Sequence, residues 1–126
     1  MTDHPIPELL RGNHPFGHPD FIPRILNIVK LHSDKNHDYT HGGSPLGNFD
    51  RTAAIMRLYP SFPWATNYGS AVVQCLKQLD AALWQMQDSG FQAKVEGVEE
   101  RWRDITVFSQ LIPIMLHETL RGKRDE

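Results

Sequence analysis

Ser70-Ala-Val-Val-Gln-Cys-Leu-Lys-Gln-Leu-Asp-Ala-Ala-Leu-Trp-Gln-Met-Gln-Asp-Ser89, followed by Gly90, is the stretch that decides the fold. Plotted at about 100° per residue, Ala71, Val72, Cys75, Leu76, Leu79, Ala82, Leu83 and Met86 fill an arc of about 140°, the signature of an amphipathic helix. Gly90 is the residue type that ends such a helix. Lys77, Asp80 and Trp84 cluster beside the arc. Lys77 and Asp80, three apart, read either as an ordinary surface ion pair or as the border of a pocket. Cys75, central in the arc, reads as an inert core thiol rather than a nucleophile.

Downstream, a further helix is expected from about Val95 to about Leu120. Its front carries Glu96, Glu99, Glu100, Arg101, Arg103 and Asp104, acidic residues being favoured early in a helix. Ile105 to Leu116 is apolar on nearly every face, which marks a covered helix, and about twelve residues cannot span a bilayer. We therefore expect a homo-oligomer through 105–116, and a kink near Ser109 to Pro113. The short Gly90 turn makes the last two helices antiparallel.

Upstream, a helix is expected from an Asp20 N-cap to about Lys35, with Pro23 in its first turn and Ile22, Ile25, Leu26 and Val29 as a stripe. His32 falls inside that stripe and reads as a core histidine. Lys35-Asn36-His37-Asp38-Tyr39 and Gly42-Gly43-Ser44-Pro45-Leu46-Gly47-Asn48-Phe49-Asp50 then form a glycine-rich turn that holds polar groups over the scaffold. A helix from Gly47 or Asn48 to Leu58 follows. Tyr59 to Trp64 reads as a loop tied by its own aromatics, or as a wall on which a base stacks.

Residues 1–20, with His4-Pro5, Ile6-Pro7, His14-Pro15 and His18-Pro19, read as an extended Pro/His-rich arm, because each proline disfavours helical geometry in the residue before it. Residues 21–120 form the helical domain and 121–126 a fraying polar tail. No strand alternation and no repeat occur, so the fold expected is an all-α bundle of about four helices. The 126 residues, 40% hydrophobic and 22% charged with a formal charge of −2, suit one soluble domain and exclude a basic surface for duplex nucleic acid. A single cysteine and the lack of a basic, apolar leader point to the cytoplasm and give no sign of a membrane.

The chemistry-bearing residues gather late. Glu100 and Asp104 share one side of the last helix, and Asp80 on an antiparallel neighbour can come level with Asp104. Three carboxylates suit Mg²⁺ or Mn²⁺, with Lys35 and Lys77 on phosphate oxygens and Asn48 on a base or ribose. A buried Lys77–Asp104 ion pair fixing helix register is the alternative. Asp34, His37, Asp38 and His41 offer a weaker local metal cluster. No GxxxxGK[ST], GxGxxG or GxSxG occurs.

Lys35-x-x-Asp38-Tyr39, Asn48-Phe49 before a helix, Lys77, and an acidic residue with Asp104 opening a long apolar helix resemble the pattern of small helical nucleotide-modification-associated proteins of phages and bacteria. More remotely they resemble MazG-type all-α NTP pyrophosphohydrolases. The resemblance implies that Lys35, Asp38, Tyr39, Asn48, Phe49, Lys77 and Asp104 line a nucleotide site. It further implies metal-dependent hydrolysis between the α- and β-phosphates, with Glu100 and Asp104 catalytic and Asp80, Glu100 and Asp104 holding the metal. The chain departs from MazG-type proteins in offering Asp80 alone on the earlier helix, and in spacing Glu100 and Asp104 by four rather than three. Two other functions fit the chain: a nucleotide-binding module without hydrolysis, using Lys35, Lys77, Arg51 and the Tyr59 to Tyr68 aromatics, and a helical oligomeric interaction protein whose apolar last helix makes a dimer and whose polar motif is structural.

Overall fold

The computed structural model describes residues 5–125, with side chains from 8 to 122. It is all-α: α1 Pro5–Asn13, α2 Phe21–Thr40, α3 Gly47–Arg57, α4 Asn67–Met86 and α5 Val98–Asp125, with no strand among the described residues. None of these helices is long and apolar enough to cross a membrane. The chain divides into two compact units, Met1–Asp34 and Lys35–Glu126.

The first unit corrects the expected extended arm over residues 5–13, which are helical. Pro5 and Pro7 occupy the first turn, where a missing N–H costs nothing, so the prolines start α1 instead of preventing it. His14-Pro15 follows its end, in keeping with the bias of a pre-proline residue away from the helix. Residues 1–4 of the expected arm, and Glu126 of the tail, lie outside the described residues. The turn between α1 and α2 encloses a hollow of about 700 Å³, lined mainly by Leu10, Pro15, Phe21, Ile22, Ile25 and Leu26. His32 is exposed, not in a core.

In the second unit α4 packs against α3 and α5. Gln85 of α4 meets the backbone of Glu96 just before α5, and Gln78 meets Arg101 one turn inside it, so α4 and α5 run antiparallel as expected. Thr66 caps α4, its Oγ1 accepting from the Gly69 amide at 3.1 Å, and the helix begins at Asn67, three residues ahead of the expected Ser70. The helix ends at Met86, before Gly90, whose amide donates to Asp88 Oδ1 in the following turn. Of the apolar arc, Ala71 and Ala82 are buried, as is Ala81 beside them, whereas Leu83 and Met86 are exposed. Cys75 is half-buried and burial pushes its thiol pKa up, which makes it a poor nucleophile. Between α3 and α4 the aromatics hold their own loop: Trp64 Nε1 donates to the Tyr59 carbonyl at 3.1 Å, and Phe62 lies 4.5 Å from Trp64.

α2 continues through Lys35–Tyr39, which corrects the turn expected there. Its stop is Gly42, at φ 81°, a left-handed conformation that costs a glycine nothing. α5 likewise runs on through the expected tail to Asp125, with Pro113 inside it.

Candidate functional site

The largest fully buried side chains are Arg101, Gln85 and Asp38, so the centre of the second unit is polar. The last turn of α2 points Asp38 at the segment leading into α5. Its Oδ1 accepts from the Lys94 amide at 2.8 Å, and its Oδ2 accepts from the Val95 and Glu96 amides at 2.7 and 2.9 Å. His37 Nδ1 lies 3.0 Å from Oδ1. Burial alone would raise the Asp38 pKa, but these hydrogen bonds outweigh it and hold the carboxyl below its usual value.

Gln85 reinforces the same junction, Nε2 donating to the carbonyls of Asp38 and Glu96 at 3.0 and 3.1 Å. Arg101 Nη1 lies within hydrogen-bond distance of Tyr39 Oη (3.0 Å), Gln78 Oε1 (2.9 Å) and Glu96 Oε2 (2.7 Å). Its guanidinium carbon sits 4.2 Å from the Tyr39 ring centroid. Asp38 and Tyr39, both expected to line a ligand site, thus join α2 to the start of α5. Sequence reasoning passed over Arg101 among its charged neighbours. The signal was its spacing, since Arg101, Ile105 and Phe108 fall on one helical face.

A second polar knot joins α3 to α4. Arg51 grips Asp80 with two bonds, Nε to Oδ1 at 2.6 Å and Nη2 to Oδ2 at 2.8 Å. The hydrogen bond and charge of Asp80 raise the Arg51 pKa against the opposing effect of burial. Buried Asn48 donates to Asp80 Oδ2 at 2.9 Å and to the Lys77 carbonyl at 3.2 Å. Arg51 also stacks 4.0 Å over Trp84, whose Nε1 donates to the His41 carbonyl at 2.9 Å.

The three carboxylates expected to hold Mg²⁺ or Mn²⁺ are not brought together. Asp80 is committed to Arg51 and Asn48. Exposed Glu100 reaches back to the Gly97 amide at 2.9 Å, closing the first turn of α5 as the third helical residue of a capping box does. No group of three histidine, cysteine or acidic side chains among the described residues can hold a metal ion, which also covers the weaker Asp34, His37, Asp38 and His41 set. The donor set therefore does not fit a divalent cation.

Three expected residues keep their chemistry free. Asp104 is half-buried and forms no hydrogen bond or ion pair with the described residues; in particular the alternative Lys77–Asp104 pair is not formed. Lys77 is half-buried, its Nζ 5.4 Å from the centroid of the Phe49 ring, which is 58% exposed. Measured from the facing pair Gln78 and Arg101, Lys77 and Asp104 turn about 100° and 60° in the same sense, so both lie on one side of the α4–α5 pair. Lys35 is exposed. No protein family, curated protein or solved structure matches this chain.

Proposed function

We propose that this protein binds a nucleotide and does not hydrolyse it, with Lys77 taking phosphate oxygens, the Phe49 ring stacking a base and Asp104 accepting from ribose or base donors. The observation that carries this reading is the pair of half-buried, opposite charges, Lys77 and Asp104, left without charged partners on one side of α4 and α5. A half-buried carboxylate without a partner costs free energy that a ligand donor recovers. The likeness of Lys35-x-x-Asp38-Tyr39, Asn48-Phe49, Lys77 and Asp104 to phage and bacterial nucleotide-modification-associated proteins supports a nucleotide as that ligand. The commitment of Asp80 to Arg51 and Asn48 argues for binding over metal-dependent hydrolysis.

A thermal-shift screen against nucleoside mono-, di- and triphosphates, with and without Mg²⁺, tests the proposal, because a ligand at 100 times its Kd stabilises by about 2.7 kcal/mol. The expected result is a metal-independent shift, with the nucleotide recovered intact and the affinity lowered at least tenfold by Lys77→Ala or Asp104→Asn. Absence of a shift with every nucleotide, or binding indifferent to both substitutions, refutes it.

A second reading, a helical protein that assembles with copies of itself, is favoured by the exposure of Val107, Leu111 and Ile114 on α5.

A further inference from the structure

The face of α5 that carries Arg101, Ile105, Phe108, Ile112 and Met115 is buried or half-buried, and Arg101 directs it at α4. About a third of a turn away lies a second stripe: Glu100, Arg103, Val107, Leu111, Ile114, Glu118 and Arg121. These residues fall within about 80° of one another and extend along about 31 Å of helix. All are exposed, and Val107, Leu111 and Ile114 remain 55%, 43% and 53% accessible in the middle of it.

The order of chemistry along this stripe is what matters: acid, base, apolar, apolar, apolar, acid, base. Turned end for end about a two-fold axis passing between Gln110 and Leu111, the stripe meets its own complement. Glu100 faces Arg121 of a second copy, Arg103 faces Glu118, Val107 faces Ile114, and Leu111 lies beside the axis. A parallel arrangement would instead set Arg103 against Arg103 and Glu118 against Glu118. A two-fold interface requires one patch to be complementary to itself, and this patch is. Two shallow hollows flank the stripe on either side of the axis, one beside Arg103 and Thr106, the other beside Ile114 and Glu118. Arg103 rests 3.6 Å from Glu99 in its own helix and is 73% exposed, so little holds it there and it is free to pair across an interface.

We infer that α5 is the self-association surface of this protein, and that two copies pair their α5 helices antiparallel, with Arg103 of each against Glu118 of the other. The inference rests on the self-association reading and is independent of the nucleotide. Apolar contact along Val107, Leu111 and Ile114 drives the association, and the four flanking charged positions select orientation and register.

Charge reversal tests it, read as mass by light scattering over the micromolar to high-micromolar range. The wild-type chain is expected to reach twice its 14.4 kDa. Arg103→Glu alone and Glu118→Arg alone each place like charges opposite one another twice per dimer, and each is expected to return the mass to 14.4 kDa. Arg103→Glu combined with Glu118→Arg restores the complement and the dimer. These positions are exposed, and unchanged helical circular dichroism confirms that the variants fold. A wild-type protein monomeric throughout overturns self-association itself. A dimer that ignores both single reversals, or one that the combined variant fails to restore, overturns the antiparallel pairing and leaves self-association to another face.

Discussion

Replacing Asp38 by Asn removes one oxygen and one charge, and the consequence is fixed by what surrounds them. The remaining oxygen can serve the Val95 and Glu96 amides, which now share Oδ2 at 2.7 and 2.9 Å. The new amide group, on a fully buried side chain, then meets the Lys94 amide, donor against donor. Losing charge assistance and leaving one N–H without its acceptor beside a buried side chain together cost about 2–4 kcal/mol. For a domain of this size that lowers Tm by roughly 10 °C or more. The pH dependence carries the same signature. The folded pKa of Asp38 is depressed, so its contribution is present above the unfolded value of about 3.9 and is lost as pH falls through the folded value. Urea denaturation at pH 7 and a stability scan from neutrality down through pH 4 check both. The variant is expected to be weaker at pH 7 and to lose less on acidification than the wild type. A change under about 0.5 kcal/mol at pH 7 refutes the account of Asp38 as a structural staple. If the substitution instead abolishes nucleotide binding with stability intact, Asp38 belongs to the ligand.

Three further perturbations bear on the same unit. Arg51→Ala and Asp80→Asn each break a bidentate pair, and a double-mutant cycle in denaturant should return a coupling of about 1 kcal/mol or more; a coupling near zero removes the α3–α4 knot. Gly43→Ala brings a Cβ to 2.6 and 2.8 Å from Trp84 ring carbons, so the ring must move off the His41 carbonyl and away from Arg51. The expected loss is about 1–3 kcal/mol with a shift in tryptophan emission, and unaltered emission contradicts it. Glu100→Gln keeps an acceptor for the Gly97 amide and should be near neutral, whereas Glu100→Ala should cost about 1 kcal/mol by thermal denaturation; equal effects disprove the cap.

The helices themselves were legible because their apolar residues recur at helical spacing: α3 matches within a residue, and α4 and α5 begin within three of expectation. Where the structure departs from the sequence expectation, a local signal is at odds with a longer-range one. Gly42-Gly43 and the polar run before it suggested a turn from Lys35, but one left-handed glycine stops α2 after Thr40, and Lys35–Tyr39 stay helical. In α1, prolines that would break a helix interior stand in the first turn, where the helix tolerates them. Asp38, Asn48 and Asp80 draw notice in the sequence as polar residues near turns and helix faces, but their partners are 56, 32 and 29 positions away. No spacing rule distinguishes a carboxylate awaiting a metal from one that accepts backbone amides across the fold. For Lys77 and Asp104 the rise and rotation of two antiparallel helices give only a shared side of α4 and α5, and the ion pair read as an alternative is not formed.

The Asp38 staple also ties the clocks of two segments together. Lys94, Val95 and Glu96 lie between α4 and α5, in irregular backbone where amides ordinarily exchange with solvent deuterium almost as fast as in a free peptide. Here each is locked to a carboxylate carried by the last turn of α2. Their exchange must wait for that turn to lift away, so these three amides time its departure. Slow deuterium uptake confined to 94–96 would report how long the α2 end stays docked, at a place where sequence neighbours alone would protect nothing.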